Sequence, residues 1–258
     1  MSQTPEVSII VPNYKTPDLT KLCLRSLRKY TDPGRIRVLA VDNGSADESL
    51  AYLRKLKWIT LLERDSTGEV PSEMHAKALD EAMKKVDTEY VLIIHTDTIV
   101  TDPKWLDFLL GKINAEPGIA GVGSWKLEYV PPVKVFFKKI ENFFRALLGR
   151  KILDRAHYFR SHCALYRSAA VRETKGFGDY DSAGISLFNT LKENGCKLPF
   201  IPSEELCRYM THLNHATMIL NPGSGNSRTD KPSMRRKLQR RIRELHVEEI
   251  LQDESLDA

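Results

Sequence analysis

Short polar stretches follow three apolar runs of the sequence, at positions where strands of a sheet are expected to end. They are Pro12-Asn13-Tyr14, Asp42-Asn43-Gly44-Ser45 and His95-Thr96-Asp97. Ligands of parallel α/β sheets bind at the carboxyl ends of the strands, so these stretches are candidate ligand contacts. A carboxylate such as Asp42 accepts hydrogen bonds from a nucleotide base or from ribose hydroxyls. The same stretch is also typical of a plain turn with a helix cap, and both interpretations stay open.

Alternating strand and helix patterns predict the elements that position these residues. Four apolar runs predict strands, at 7–11, 37–41, 58–62 and 90–94. Apolar residues at helical spacing predict a helix after each run, at 19–30, 47–56, 74–86 and 105–113. Strands that alternate with helices in this way are typical of βαβ units and a mostly parallel sheet. The predicted fold class is therefore α/β.

The second half of the sequence is less regular. A helix at 183–194 is predicted to end at Gly195, because glycine is favoured just beyond a helix terminus. Residues 233–251 predict one long charged helix, basic first and acidic after. Residues 133–148 place aromatic and aliphatic side chains on one helical face, with lysines elsewhere.

Composition excludes several classes of protein. Of the 258 residues, 41% are hydrophobic and 28% are charged, which excludes a disordered chain and a fibrous protein. No apolar run approaches the roughly 18–20 residues of a membrane-spanning helix, and the first residues lack the pattern of a secretory signal. The four cysteines are scattered without a CxxC pair, which favours free thiols in a reducing cytoplasm.

Motifs of other nucleotide-binding classes are missing from the sequence. GxGxxG does not follow the first predicted strand, and GxxxxGK[ST] does not occur. These absences argue against dehydrogenases and P-loop enzymes. A nucleotidyltransferase of related architecture needs a glycine-rich basic loop after the first strand, and that loop is missing too. No RNA- or DNA-binding pattern occurs, so nucleic acid is not an expected partner.

The net charge of +5 is unevenly distributed. Residues 133–151 carry +5 and residues 231–243 carry +7, which leaves −7 on the rest of the chain. Segment 133–151 fits a helix in the core or a homodimer interface, a helix on an anionic membrane, or a lid over an acceptor site. Segment 231–243 fits a patch for acidic lipid head groups, or a solvated helix neutralised by the acidic tail that follows it.

Three motifs, taken in order and with their spacing, resemble a known family. They are VSIIVPNY at 7–14, VDNGSAD at 41–47 and YVLIIHTD at 90–97. Together they resemble the inverting glycosyltransferase family 2, including its rhamnosyltransferase-like members. The resemblance implies a GT-A fold, which is a Rossmann-like, mostly parallel sheet flanked by helices.

The resemblance also implies a division of the chain. A GT-A domain is expected at 1–222, with a nucleotide-sugar-binding half at 1–125 and an acceptor half at 126–222. A C-terminal helical extension, basic and then acidic, is expected at 223–258.

By the same resemblance, one group of residues binds the donor nucleotide sugar. Alternatives stay open for two of them, since Tyr14 also fits a packing role and Lys77 also fits an ordinary exposed helix lysine. The implied donor-binding residues are Pro12, Asn13, Tyr14, Asp42, Asn43, His75, Lys77, His95 and Thr96.

The resemblance further implies a divalent cation, Mn²⁺ or Mg²⁺. The family's D-x-D motif is His95-Thr96-Asp97 here, so a histidine replaces the first acid and Asp97 is the implied ligand. Hard cations prefer carboxylate and phosphate oxygens and neutralise charge on a leaving diphosphate. One imidazole of His212 or His215 is expected to complete the metal shell, without a preference between them.

Inverting transfer needs a general base that removes the proton of the acceptor hydroxyl. The family places an acid before a helix in the second half of the domain, and Asp181 or Asp179 matches that position. Asp181 is preferred, although the same residue also fits a helix N-cap.

The implied activity is transfer of a sugar from a nucleoside diphosphate sugar to a hydroxyl of a glycan or lipid-linked glycan, in cell-surface polysaccharide synthesis. The expected location is cytoplasmic, at the inner face of the plasma membrane if the basic segments bind lipid. Because His95 departs from the family's motif, a non-catalytic domain that binds nucleotide sugar or glycan stays open as the alternative.

Overall fold

The structure is a computed structural model that describes residues 4–125, 127, 158–178, 183–214, 216–221 and 229–258. Four of the sequence predictions fall outside these residues: segment 133–151, Asp179, Asp181 and His215. They stay predictions, as does the division of the chain into domains. No helix within the described ranges is long and apolar enough to cross a membrane.

A six-stranded, mostly parallel sheet lies at the centre of the molecule. The strands run in the order β3-β2-β1-β4-β7-β6, and the first four are mutually parallel while β7 is antiparallel to both neighbours. Their bounds are β1 Val7–Asn13, β2 Ile36–Asp42, β3 Ile59–Glu63, β4 Tyr90–Ile93, β6 Gly121–Gly123 and β7 Ala164–Arg167. The four predicted strands and the mostly parallel sheet are confirmed.

Helices cover both faces of this sheet. The helices before residue 229 are α1 Pro17–Tyr30, α2 Glu48–Leu53, α3 Pro71–Met83, α4 Trp105–Ile113, α5 Ser168–Arg172, α6 Ile185–Glu193, α7 Ser203–Leu206 and α8 Ala216–Leu220 in the described ranges. α1 and α4 pack against one face, and α3 and α6 pack against the other. The side chains of β4 are all buried, because the strand is covered on both sides. Gly195 follows α6 with a φ of +79°, as predicted.

A second, two-stranded sheet lies next to the carboxyl end of β4. It pairs β5, Thr98–Val100, with β8, Met210–His212, in antiparallel fashion. Thr98 lies opposite His212 in this pairing, and the Leu213 amide donates to the Asp97 carbonyl at 2.8 Å. The small sheet therefore brings residues separated by more than a hundred positions to one point.

The single long C-terminal helix predicted at 233–251 is wrong. The chain forms α9, Pro232–Glu244, then α10, Glu248–Gln252, and a 3₁₀ turn at Glu254–Asp257. His246 between the two helices has a φ of +51°, outside the helical region. The break turns α10 back, so that Val247 and Ile250 pack with Leu238 of α9 in one apolar cluster.

Candidate active site

Two imidazoles and one carboxylate meet at the carboxyl end of β4. His95 and Asp97 lie in the turn between β4 and β5, and His212 ends β8. The Nε2 atom of His212 is 3.0 Å from Oδ1 of Asp97, and Nδ1 of His95 is 3.8 Å from the same oxygen. One ligand atom from each of the three residues lies within 4.8 Å of the others. His95, which stands where the D-x-D motif has its first acid, therefore lies close to the carboxylate of Asp97.

Asp97 is held firmly within the cluster. Its side chain is 4% exposed, and Oδ2 accepts a hydrogen bond from the Ala216 amide at the start of α8. Burial alone would raise the pKa of this carboxyl, but attraction to His212 and His95, a side-chain hydrogen bond with His212 and the bond from the Ala216 amide hold it well below its usual range. Asp97 is therefore ionised at neutral pH, the form in which a carboxylate binds a cation.

A serine joins His95 to a second histidine. The Oγ atom of Ser161 lies 2.8 Å from Nε2 of His95 and 3.0 Å from Nε2 of His75. A hydroxyl has a single proton to donate, so at least one of these two imidazole nitrogens must carry a proton of its own. Burial lowers the pKa of His75 to about 3 and that of His95 to about 4, so both rings are neutral at neutral pH.

A fourth histidine and an arginine complete the polar wall. The His162 ring lies 4.8 Å from the His212 ring, and its Nε2 is 3.0 Å from the Ser124 hydroxyl. Arg160 stacks on Trp125 with its guanidinium carbon 4.4 Å from the ring centre. Its positive charge also contributes to the lowered pKa values of His95 and His162. Arg160 is thus a cation beside the histidine cluster.

Arg160, Ser161 and His162 are absent from the sequence predictions. They precede β7, which runs antiparallel to β4, so the start of β7 lies beside the carboxyl end of β4. The rule that ligands lie at strand carboxyl ends considers only the residues after a parallel strand. The sequence feature that points to these residues is the polar stretch at 160–162, which directly precedes the apolar run of β7.

Asn13 and Asp42 tie the ends of β1 and β2 together. Asn13 Nδ2 donates to Asp42 Oδ1 at 2.6 Å, and Oδ2 of Asp42 accepts from the Ser45 amide at 2.9 Å. Each residue is only 1% exposed. The side-chain bonds of Asp42 are therefore those of a turn that ties two strand ends together. Contact of Asn13 and Asp42 with a nucleotide stays a prediction.

The other predicted donor-binding residues lie in two settings. Thr96 is buried, with its hydroxyl 3.2 Å from that of Thr16, and Pro12 and Tyr14 are half-buried at the end of β1 and just beyond it. On the neighbouring edge, Asn43 accepts from Arg64 at 2.6 Å. Lys77 pairs with two acidic side chains, Glu69 at 3.0 Å and Glu73 at 2.6 Å.

A comparison with known protein families identifies the family of this chain. The family model described as glycosyl transferase family 2 matches residues 8–174, a stretch that contains β1 through β7 and most of the histidine cluster. The chain belongs to glycosyltransferase family 2. The resemblance found in the three sequence motifs is thereby confirmed.

Two curated proteins are similar to part of this family 2 chain. It is 34% identical over 121 residues to the O-antigen biosynthesis protein RfbC of Myxococcus xanthus, covering 46% of this chain and 9% of that protein. It is 27% identical over 151 residues to a poly(ribitol-phosphate) beta-glucosyltransferase of Bacillus spizizenii, covering 52% of this chain and 23% of that one. The chain therefore spans less than a quarter of the length of either relative.

Solved structures confirm the GT-A fold. The mannosyltransferase PcManGT from Pyrobaculum calidifontis, in complex with GDP-Man and Mn²⁺, matches with a TM-score of 0.56 and 20% identity, over 77% of this chain and 55% of that one. S. aureus TarS 1-349 in complex with UDP-GlcNAc matches with a TM-score of 0.55 and 17% identity, over 87% of this chain and 69% of that one.

Proposed function

We propose that this protein transfers a sugar, with inversion, from a nucleoside diphosphate sugar to a hydroxyl of a glycan or lipid-linked glycan. The observation that carries the proposal is the cluster of His95, Asp97 and His212 at the carboxyl end of β4. An ionised buried carboxylate beside two imidazoles is suited to a cation that binds a diphosphate. The names of the relatives, in O-antigen biosynthesis and poly(ribitol-phosphate) glucosylation, support a glycan acceptor.

The donor set fits a divalent cation. Ligand atoms around a small cation are about 3 Å apart, because each lies roughly 2.1 Å from it. The 3.0 Å between His212 Nε2 and Asp97 Oδ1 agrees with that spacing. Asp97, His95 and His212 would hold the ion, which would neutralise charge on the leaving nucleoside diphosphate. Two imidazole nitrogens favour Mn²⁺ over Mg²⁺, which prefers oxygen ligands.

The metal preference is expected to change in His95→Asp. This variant replaces an imidazole with a second carboxylate, so the ratio of activity with Mg²⁺ to activity with Mn²⁺ should rise about tenfold. Initial rates across a titration of each ion measure the ratio. His75→Asp is the matched control, since it places the same substitution on the far side of Ser161. An unchanged ratio in His95→Asp would mean that His95 does not contact the metal.

Arg160 is proposed to stabilise the diphosphate of the leaving group. A guanidinium beside the cluster can donate charge-assisted hydrogen bonds to phosphate oxygens. Lys77, whose ammonium already pairs with Glu69 and Glu73, is the weaker choice for that role. We expect Arg160→Met to lower kcat about 10²-fold, and Lys77→Met to lower it less than tenfold. Steady-state assays of both variants make the comparison, and the opposite order would assign the phosphate to Lys77.

The remaining roles follow the family resemblance. Asp181, with Asp179 as the second choice, is proposed as the general base. Pro12, Asn13, Tyr14, Asp42 and Asn43 are proposed to form the nucleotide pocket at the ends of β1 and β2. Either His212 or His215 completes the metal shell in this proposal, and the distance of His212 from Asp97 favours His212.

Release of a nucleoside diphosphate tests the reaction directly. The protein is incubated with Mn²⁺ and a panel of donors that includes GDP-mannose, UDP-GlcNAc, UDP-glucose and a rhamnose donor. Release with one donor, raised by a glycan or lipid-linked acceptor, is the expected result. No release with any donor, together with donor binding in calorimetry, would favour the non-catalytic alternative.

A further inference from the structure

The outer face of α9 is strongly cationic. Six basic side chains are exposed on this helix and just before it: Lys231, Arg235, Arg236, Lys237, Arg240 and Arg243. The opposite side of the helix is apolar, since Leu238 is buried and Met234 and Ile242 pack with it against the body of the protein. The helix is thus anchored by one face, and its charge is directed outward.

The acidic tail neutralises this face only in part. Asp257 pairs with Arg25 of α1 at 2.5 Å, and Asp253 accepts hydrogen bonds from Ser255 in its own turn. Glu244 lies 3.7 Å from Arg240 and from Arg241. Over the ranges that the structure describes, Arg236, Lys237 and Arg243 have no ion pair. Within the described residues, ion pairs from the acidic tail to segment 231–243 thus come from Glu244 alone, and neutralisation by that tail stays an interpretation of the sequence.

Two exposed apolar side chains lie beside the cationic face. Met218 and Leu220 of α8 are 36% and 37% exposed, and they are two of the four large hydrophobic residues exposed in the described ranges. Arg235 of α9 joins the two helices, because its guanidinium donates to the carbonyl oxygens of Ile219 and Leu220. Exposed apolar side chains and an exposed cationic face therefore lie on two helices that contact each other.

We propose that this surface, formed by the exposed residues of α8 and α9, docks the protein on an anionic lipid leaflet. The cationic side chains match acidic head groups, and each basic residue near such a surface strengthens binding roughly fivefold. Met218 and Leu220 favour a membrane over a soluble polyanion. A polyphosphate or nucleic acid gives these side chains nothing apolar to contact, whereas the boundary of the acyl chains does.

The same surface lies next to the candidate active site. α8 begins at Ala216, whose amide donates to Asp97 at 3.2 Å, and Met218 is two residues further along the same helix. A protein docked through α8 and α9 would hold its histidine cluster near the lipid head groups. That position suits a lipid-linked acceptor. The inference about the acceptor rests on the proposed function, whereas membrane docking is independent of it.

Vesicle flotation tests the docking without donor or acceptor, so its result is separate from that of the transferase assay. The full chain is mixed with phosphatidylcholine vesicles, with or without about 30 mol% phosphatidylglycerol, at about 0.05 M and about 0.5 M NaCl. Flotation only with the anionic vesicles, and most strongly at low salt, is expected. Equal flotation with both vesicles, or none with anionic vesicles at low salt, would overturn the proposal.

Two variants and a control assign the binding to this surface. Arg236→Glu/Lys237→Glu should lower the partition coefficient about 25-fold or more at low salt. Met218→Ser/Leu220→Ser should lower it at both salt concentrations, because apolar insertion is not screened. Lys84→Glu/Lys85→Glu changes the same charge after α3, on the other side of the sheet, and should float like the wild type.

The soluble alternative has its own result. If long-chain polyphosphate binds the wild type tightly and Arg236→Glu/Lys237→Glu loses that binding while neither protein floats, the surface recognises a soluble polyanion and the membrane proposal is overturned. If Arg236→Glu/Lys237→Glu floats like the wild type, lipid is bound elsewhere and the assignment to α9 is overturned. Circular dichroism and thermal unfolding confirm that each variant is folded.

Discussion

Asp97→Asn is expected to lower metal-dependent sugar transfer by about 10²–10³-fold or more. Asp97 supplies the single carboxylate of the cluster with His95 and His212, and its pKa lies well below the usual range, so it is ionised at neutral pH. An amide has no negative charge to offer a cation, and charge on the leaving diphosphate would then be less well neutralised. Donor turnover at saturating Mn²⁺ measures the loss, and calorimetric titration with Mn²⁺ measures affinity without turnover.

The asparagine variant separates chemistry from folding. Its amide oxygen can still accept the hydrogen bond from the Ala216 amide, so the start of α8 keeps its contact. Asp87→Asn is the matched control, because Asp87 is an exposed carboxylate in a surface ion pair with Arg37. Such pairs contribute about 0–1 kcal/mol, and turnover should be unchanged. If Asp97→Asn kept both turnover and Mn²⁺ affinity, the metal assignment would be wrong.

The pattern of apolar and polar residues predicts the sheet and places His95 and Asp97 at its edge. A short apolar run such as Tyr90–Ile93, placed between helical patterns, favours a buried strand, and polar residues directly after it are then expected at the sheet's edge. His95 and Asp97 are therefore readable from local pattern. His212 is not, because it meets Asp97 through the pairing of β5 with β8, and that pairing follows from tertiary structure.

The missed Ser161 and the wrong prediction of one helix at 233–251 both result from long-range contacts. Ser161 enters the site from the beginning of an antiparallel strand, which no local pattern distinguishes from the beginning of a parallel one. The helical pattern of 233–251 continues through His246, yet the chain breaks there because Val247 and Ile250 gain burial against α9. Helical periodicity reports that both segments are amphipathic, but not that they fold back on each other.

Asp257→Ala is expected to destabilise the protein by about 2–4 kcal/mol. Asp257 accepts hydrogen bonds from Arg25 at 2.5 and 2.8 Å and from the Tyr52 hydroxyl at 2.7 Å. Arg25 is only 4% exposed, so the substitution leaves a buried guanidinium without its counterion. Urea unfolding of the two proteins at neutral pH measures the difference.

Two further variants identify the cause of that loss. Asp253→Ala removes only the bonds to Ser255 in the exposed 3₁₀ turn, and should cost about 1 kcal/mol or less. Arg25→Met/Asp257→Ala leaves no buried charge, so it should be more stable than Asp257→Ala alone. A double variant no more stable than Asp257→Ala would mean that the tail is held by packing of its apolar residues rather than by this ion pair.

Acid titration gives an independent measure of the same contact. Burial alone would raise the pKa of Asp257, but the hydrogen bonds from Arg25 and Tyr52 keep it below its usual value of 3.8. A depressed carboxyl pKa stabilises the folded state fully above the unfolded pKa, and that stabilisation is lost as pH falls through the folded pKa. The difference in unfolding free energy between wild type and Asp257→Ala should therefore be constant at neutral pH and shrink below about pH 4. If this difference stayed constant down to pH values well below 3.8, the usual pKa of the carboxyl, the charge of Asp257 would contribute nothing to stability. The Asp257→Ala substitution would then act through lost packing alone.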